Sequence, residues 1–157
     1  MMLEIKEITN EAAEIIYDIQ QKSFIPLLNV YHDYNMNPAM ESVYTIKEKI
    51  DRDNTIAYIF KFNDMNIGWV RLTYLESDIC KISGLCVIPE YQNRGIAQEV
   101  LKILEEKHNK ILKWVLDTIY EEKGNCHLYE KLGYVKVGEI KKVNENMSII
   151  NYEKYIN

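Results

Sequence analysis

The run Gln92-Asn93-Arg94-Gly95-Ile96-Ala97 has the residue types and position to hold a phosphate. It follows an apolar stretch closed by Pro89 and opens a segment with helical spacing. A helix start carries backbone N–H groups without intrahelical partners, together with the positive end of the helix dipole, and both attract anions. Gly95 lets the backbone approach a phosphate with no Cβ between them. Ala97 keeps the first turn small, and Arg94 can add charge-assisted hydrogen bonds to phosphate oxygens. Two common phosphate loops are excluded, because neither Gly-Lys-Ser/Thr nor Gly-x-Gly-x-x-Gly occurs in the run. On residue types alone it is either a phosphate-compatible turn or an ordinary strand-to-helix connection.

Other chemistries have less support. The 3 cysteines, Cys80, Cys86 and Cys126, show no paired ligand spacing and read as reduced, packed thiols, so no metal is expected. Cys126-His127 is no nucleophile–base pair, because adjacent helical residues point in different directions. The net charge of −5 is spread along the chain, with no basic cluster to grip nucleic acid or an anionic membrane. The start, Met1-Met-Leu-Glu-Ile-Lys, alternates like a strand and lacks the pattern of a secretory leader. No apolar run approaches the ~20 residues of a membrane helix, so a cytoplasmic location is expected. The 157 residues suit one domain, 1–157.

The elements that must position the run follow from periodicity. Leu3 to Ile8 alternates as a strand. With Asn10 as N-cap, Ala12, Ile15, Ile16 and Ile19 mark a helix to about Ser23 that resumes before Tyr31. The stretch Tyr31 to Met40 reads as a loop, and Ser42 caps a short helix with Val43, Ile46 and Ile50 buried. Thr55 to Phe62, a turn at 63–66, and Ile67 to Tyr74 form a hairpin. A turn at Glu76-Ser-Asp78 leads into a central strand, Ile79 to Val87, where Gly84 marks a bulge or a close approach. A helix from Ile96 to about Lys107, a strand from Lys113 to Thr118 and a helix from Asn125 to Leu132 come next. Gly133 stops that helix, and strands Tyr134 to Ile140 and Met147 to Tyr155 close the order.

The run Leu85-Cys-Val-Ile-Pro-Glu-Tyr-Gln-Asn-Arg-Gly-Ile-Ala97 resembles the acetyl-CoA motif of the GNAT superfamily of N-acetyltransferases. That motif is Gln/Arg-x-x-Gly-x-Gly/Ala after a strand ending in Val-x-Pro, and Gln92, Gly95 and Ala97 fill its fixed positions. Leu128-Tyr-Glu-Lys-Leu-Gly-Tyr134 looks like the second signature, and the order of elements matches essentially throughout. The resemblance implies an α/β (α+β) three-layer domain, its mixed, mostly antiparallel sheet of about seven strands flanked by about four helices.

It also implies roles. Backbone amides of Gln92, Asn93, Arg94, Gly95, Ile96 and Ala97 wrap the coenzyme A pyrophosphate. The pantetheine arm pairs with the strand at Leu85 to Val87, from which the 113–118 strand diverges. An N–H at Leu85 or Val87 binds the thioester carbonyl and steadies the developing oxyanion. Tyr129 is the general acid for the departing thiolate. Asn125 either contacts the cofactor or caps its helix. The base position varies in such enzymes, leaving Glu76, Asp78, Glu41 and His32 as candidates. Tyr31, Tyr34, Met36, Asp33 and Glu41 are expected on the acceptor side.

The implied reaction moves an acetyl group from acetyl-CoA, as co-substrate, to a primary amine by direct attack in a ternary complex. The acceptor partner is a small molecule or a peptide, and a homodimer is compatible with the sequence. Transfer from another acyl-CoA or to a hydroxyl, and a CoA-binding sensor without turnover, are the alternatives.

Overall fold

The computed structural model describes residues 2–157, and Met1 lies outside them. The chain forms one sheet of seven strands: β1 (Leu3–Ile8), β2 (Thr55–Phe62), β3 (Met65–Glu76), β4 (Ile79–Val87), β5 (Lys113–Ile119), β6 (Val135–Asn144) and β7 (Met147–Tyr155). Their order is β1-β2-β3-β4-β5-β7-β6. Every neighbouring pair is antiparallel except β4 and β5. Four α-helices accompany the sheet: α1 (Ala13–Tyr31), α2 (Val43–Ile50), α3 (Ile96–Lys107) and α4 (Lys123–Lys131).

The pleat of β3 sorts the helices into two layers, since successive side chains leave opposite faces. Tyr74 bonds His108, just after α3, at 2.7 Å, whereas Arg71, out of phase with it, feels the charge of Glu41 just before α2. Between the layers lie the fully buried Trp69, Trp114, Tyr58, Tyr152 and Phe60, with aliphatic side chains filling in. His108 is fastened on both ring nitrogens, its second contact being to the Tyr58 hydroxyl at 2.9 Å.

Several boundaries differ from expectation. Helix α1 is continuous, although Pro26 lies inside it. Pro26 is exposed, so water can satisfy the carbonyl that its missing N–H leaves free, while buried Ile16, Ile19, Ser23 and Tyr31 hold the helix on both sides. A short 3-10 turn at Asn10–Ala12 precedes α1, and Thr9 rather than Asn10 caps it, Thr9 Oγ1 accepting from the Glu11 N–H. Ser42 caps α2 as expected, accepting the Thr45 N–H at 3.1 Å. The first hairpin turn shrinks to Asn63-Asp64, both with positive φ (49° and 68°). That primed geometry matches strand twist and lets β3 start at Met65. Helix α4 begins at Lys123, before Asn125.

Candidate active site

Two features of β4 create an opening in the sheet. The first is a bulge: Trp69 pairs with Cys86 and Arg71 with Ser83, so Gly84 and Leu85 together oppose Val70. Gly84 takes the left-handed φ of +68°, which a glycine accepts without strain. The second is a split: β4 pairs with β5 only from Ile79–Lys113 to Lys81–Val115. Beyond that point both strands continue, β4 to Val87 and β5 to Ile119, without pairing. The edge of β4 from Ile82 to Val87 is therefore free on the β5 side, the kind of edge that an extended, amide-bearing ligand can join as an added strand.

This free edge runs into the Gln92–Ala97 loop. Pro89–Tyr91 forms a 3-10 turn closed by the Gln92 N–H on the Pro89 carbonyl, and Gly95 precedes α3 with φ +78°. Asn93 also has a left-handed φ, 60°. The first backbone bond of α3 is the Glu99 N–H to the Gly95 carbonyl. The amides from Asn93 through Gln98 thus have no backbone partner among the described residues. A fan of free N–H groups at a helix start, with residues alternating into αL, is an anion cradle. A Cβ on Gly95 would meet nothing within 4 Å, so the cradle is open there. The loop residues fit a phosphate through their backbone.

The side chains of the loop do separate work. Gln92 Nε2 donates to the Val87 carbonyl at 2.8 Å, bracing the loop on the end of β4. The Arg94 guanidinium lies over the Tyr91 ring at 4.9 Å and is exposed. Ile96 is buried in the core, so only its N–H is available to a ligand.

Across the split, α4 carries Tyr129, 7% exposed and packed edge-on against Tyr134 and at a tilt against Tyr152, each at 5.9 Å between ring centroids. Its hydroxyl makes no hydrogen bond among the described residues. Burial, with smaller contributions from Cys126 and Asp117, pushes its pKa well above the ordinary phenol value, so the proton stays on oxygen across the physiological range.

Asn125 is exposed in the first turn of α4, two residues past its start, and Glu122 holds the N-cap position. The capping alternative is therefore excluded. The Cys126 thiol points to the carbonyls of Ile119 and Tyr120 at 3.8 and 3.7 Å. Burial raises the thiols of Cys80 and Cys86 to about 12. Both therefore stay protonated, and neither is primed as a nucleophile.

The acceptor-side expectations divide. Tyr31 is the last residue of α1, not a loop residue; it is buried, and its hydroxyl donates to Glu122 Oε2 at 2.5 Å. The Asn144 side chain bonds its carbonyl, tying α1 to the β6–β7 hairpin. Asp33 is buried in a local turn with Asn37 Nδ2, 3.1 Å from its carboxylate. Tyr34 and Met36 are exposed, and His32 stacks on Tyr34. Glu41 is occupied by Lys49 and by Gln20 Nε2. Glu76 is exposed, and Asp78 offers its backbone carbonyl to the Leu112 and Lys113 amides. Reasoning from sequence missed Trp69, Arg71 and Glu122. The pairing of β3 with β4 brings Trp69 and Arg71 against Gly84, and the packing of α1 brings Tyr31 onto Glu122.

A family model described as "Acetyltransferase (GNAT) family" matches residues 13–134. No curated protein sequence matches the chain. Among solved structures, the ribosomal-protein-S18-alanine N-acetyltransferase of Escherichia coli superposes with a TM-score of 0.78 at 16% identity, covering 99% of this chain and 94% of that one. A GNAT family acetyltransferase from Elizabethkingia anophelis with acetyl-CoA bound reaches 0.70 at 22% identity, covering 98% of both. The Vibrio cholerae spermidine N-acetyltransferase in complex with CoA and spermine reaches 0.77 at 16% identity, covering 98% and 95%. At these identities the likeness is one of fold.

Proposed function

This chain belongs to the GNAT family of acetyltransferases, and on that premise we propose that it transfers an acetyl group from acetyl-CoA to a primary amine by direct attack in a ternary complex. The observation that carries the reading is the free β4 edge leading into the fan of unpaired amides from Asn93 to Gln98. A pantetheine arm needs the first and a pyrophosphate the second. Structures of similar fold carry acetyl-CoA or CoA, which supports the choice of donor.

The residues then act as follows. Amides around Gly95 hold the pyrophosphate, and Arg94 adds charge at the rim. Gln92 keeps the loop in register with Val87. The Leu85 N–H, beside the bulge, polarises the thioester carbonyl so that charge developing on oxygen meets a fixed donor. The amine, neutral once it has given a proton to solvent, attacks the carbonyl carbon, the C–S bond breaks, Tyr129 gives its proton to the departing sulfur, and the surplus proton on the new amide nitrogen leaves through solvent to restore the phenol. The buried phenol holds its proton at the start, as a proton donor must. Asn125, exposed in the first turn of α4 and outside the N-cap position, is assigned to the cofactor. With Cys80 and Cys86 protonated, direct attack is favoured over an acyl-cysteine route.

Among the described residues no helix is long and apolar enough to cross a membrane; a cytoplasmic location is part of this proposal. The test is product mass after incubation with acetyl-, propionyl- and succinyl-CoA and a panel of amines and alcohols. Acetylated amine is expected. Tight CoA binding with no transfer to any acceptor would overturn the proposal in favour of a sensor.

A further inference from the structure

One face of the sheet carries an open groove of about 570 Å³. Its walls come from β3 to β7 alone, and no helix residue lines it among the described residues. Trp114 packs edge-on to His108, just after α3, at 6.4 Å between ring centroids. Lys113, Val115 and Asp117 alternate with Trp114 and therefore leave β5 on the opposite face, where they line the groove.

The groove reaches the split. Val115 is the last residue of β5 that pairs with β4, and Asp117 is the next one on the same face. Tyr129, whose pKa burial raises most, also feels the charges of Cys126 and Asp117. The Asp117 carboxylate is thus within electrostatic reach of the phenol assigned to the leaving thiolate. Its one ionic partner is Lys81 at 3.7 Å, and both side chains are nearly half exposed, 42% for Lys81 and 47% for Asp117. An exposed pair of that kind is worth little, so an incoming ammonium can replace the lysine.

Charge and length narrow the ligand. Three lining carboxylates, those of Glu76, Asp117 and Glu153, stand against two lysines, Lys81 and Lys113, which leaves one negative charge in excess. A ligand with a single ammonium balances it, whereas a polyamine brings several and a free amino acid brings none on balance. From Asp117 back to Lys113 is ~13 Å of strand, and an extended peptide has the same rise, so about four of its residues span that length. The floor beneath them includes Ile79, Val115 and Val137, with exposed Leu75 at the end away from the split.

We propose that this groove holds the acceptor and that the acceptor is the N-terminal segment of a peptide, its α-ammonium on Asp117 and its next residues extended toward Leu75. An α-ammonium has an ordinary pKa of about 7.7–8.0, against about 10.4 for a lysine side chain, so it passes its proton to solvent more readily. The neutral nitrogen then takes the acetyl group, the carbon–sulfur bond is exchanged for a carbon–nitrogen bond, and CoA leaves as the thiol. The inference rests on the acetyl-transfer reading for its chemistry, but its binding step does not need turnover.

The probe is a degenerate hexapeptide library without lysine, amidated at its C-termini, with the same library formylated at its N-termini as control. Both are titrated against 15N-labelled, CoA-bound protein, and acetylated products are sequenced by fragmentation mass spectrometry. The amides of Val115, Asp117 and Asn151 should move with the free library and not with the formylated one. The acetyl group should lie on the α-nitrogen. For a peptide so identified, trimming to a single amino-acid amide should lower kcat/KM at least about 10-fold. Asp117→Asn should raise KM at least about 10-fold with a smaller change in kcat, and Asp117→Glu should keep part of the affinity. Leu75→Trp should raise KM more for the tetrapeptide than for the dipeptide amide. Amides that neither library moves, or that both move equally, overturn the assignment. So does acetylation of spermidine or a free amino acid but of no peptide, which leaves the acetyltransferase reading standing. Movement by the free library alone, with no amine ever acetylated, supports the groove and overturns the proposed function.

Discussion

Replacing Gly95 with alanine separates folding from cofactor binding. Gly95 sits at φ +78°, where an L-residue is strained by about 1–2 kcal/mol. A less flexible unfolded chain offsets about 0.4–1 kcal/mol of that. The added methyl group meets nothing within 4 Å, so no clash adds to the cost. The net loss is about 1 kcal/mol, or about 2–4 °C in Tm for a domain of this size. Binding should suffer more. The Cβ would stand in the open side of the amide cradle, and displacing a single charge-assisted bond to phosphate costs about 1.5–3 kcal/mol, roughly a 10- to 150-fold rise in the Kd for CoA. Calorimetry gives the Kd and a thermal melt gives Tm. Acetyl-pantetheine, which lacks the pyrophosphate, supplies the internal control: Gly95→Ala and the parent protein should use it equally. If the variant binds CoA with an unchanged Kd, or loses acetyl-pantetheine as heavily as acetyl-CoA, the loop does not hold the pyrophosphate.

Tyr129→Phe keeps the ring contacts with Tyr134 and Tyr152 and removes a hydroxyl that bonds no described residue. Tm should shift by less than about 3 °C while kcat drops about 10²- to 10⁴-fold; kcat within threefold of the parent in a thiol-release assay would dismiss it as the proton donor. Asn125→Ala should leave stability within about 0.5 kcal/mol, since the side chain is exposed and caps nothing, and should raise KM for acetyl-CoA severalfold in initial-rate assays. Burial, then Lys107, lowers the pKa of His108 against a small opposing pull from Glu7. The unfolded chain therefore takes up this proton first as pH falls through about 6.5. Stability should decline below that pH and level off under the folded-state pKa, and urea midpoints from about pH 8 to 5 should show a shallower decline in His108→Gln.

The donor half of the candidate site is legible in the sequence because its demands are local. A phosphate cradle at a helix start needs a small residue with a left-handed φ, a free run of amides and a strand ended on time, and Gly95, Ala97 and Pro89 declare these within a few positions. Gly84 announces the bulge in the same way. Element types were legible for the same reason, since the periods of strands and helices are written in consecutive residues. Boundaries failed where distant packing decides them. Pro26 inside α1 is tolerated because its face is solvated and because Tyr31, just over one turn later, is anchored by Glu122. Tyr31 read as a loop residue until that partner, far along the chain, was in place.

The surroundings of the bulge obey a different logic, since no spacing rule links Ser23, Arg71 and Gly84. The pairing register links them: Arg71 opposite Ser83 and Trp69 opposite Cys86 place an indole and a guanidinium on either side of the bulge, and Ser23 lies against the Cys86 thiol. The bulge brings Gly84 into the left-handed region at φ +68°, and that conformation explains why a glycine stands there. Gly84→Ala strains that φ and places a methyl group 3.4 Å from the Trp69 ring, an ordinary contact. Its effect should therefore run through the backbone of β4, raising KM for acetyl-CoA in initial-rate assays; an unchanged KM would show that the bulge does not shape the cofactor edge.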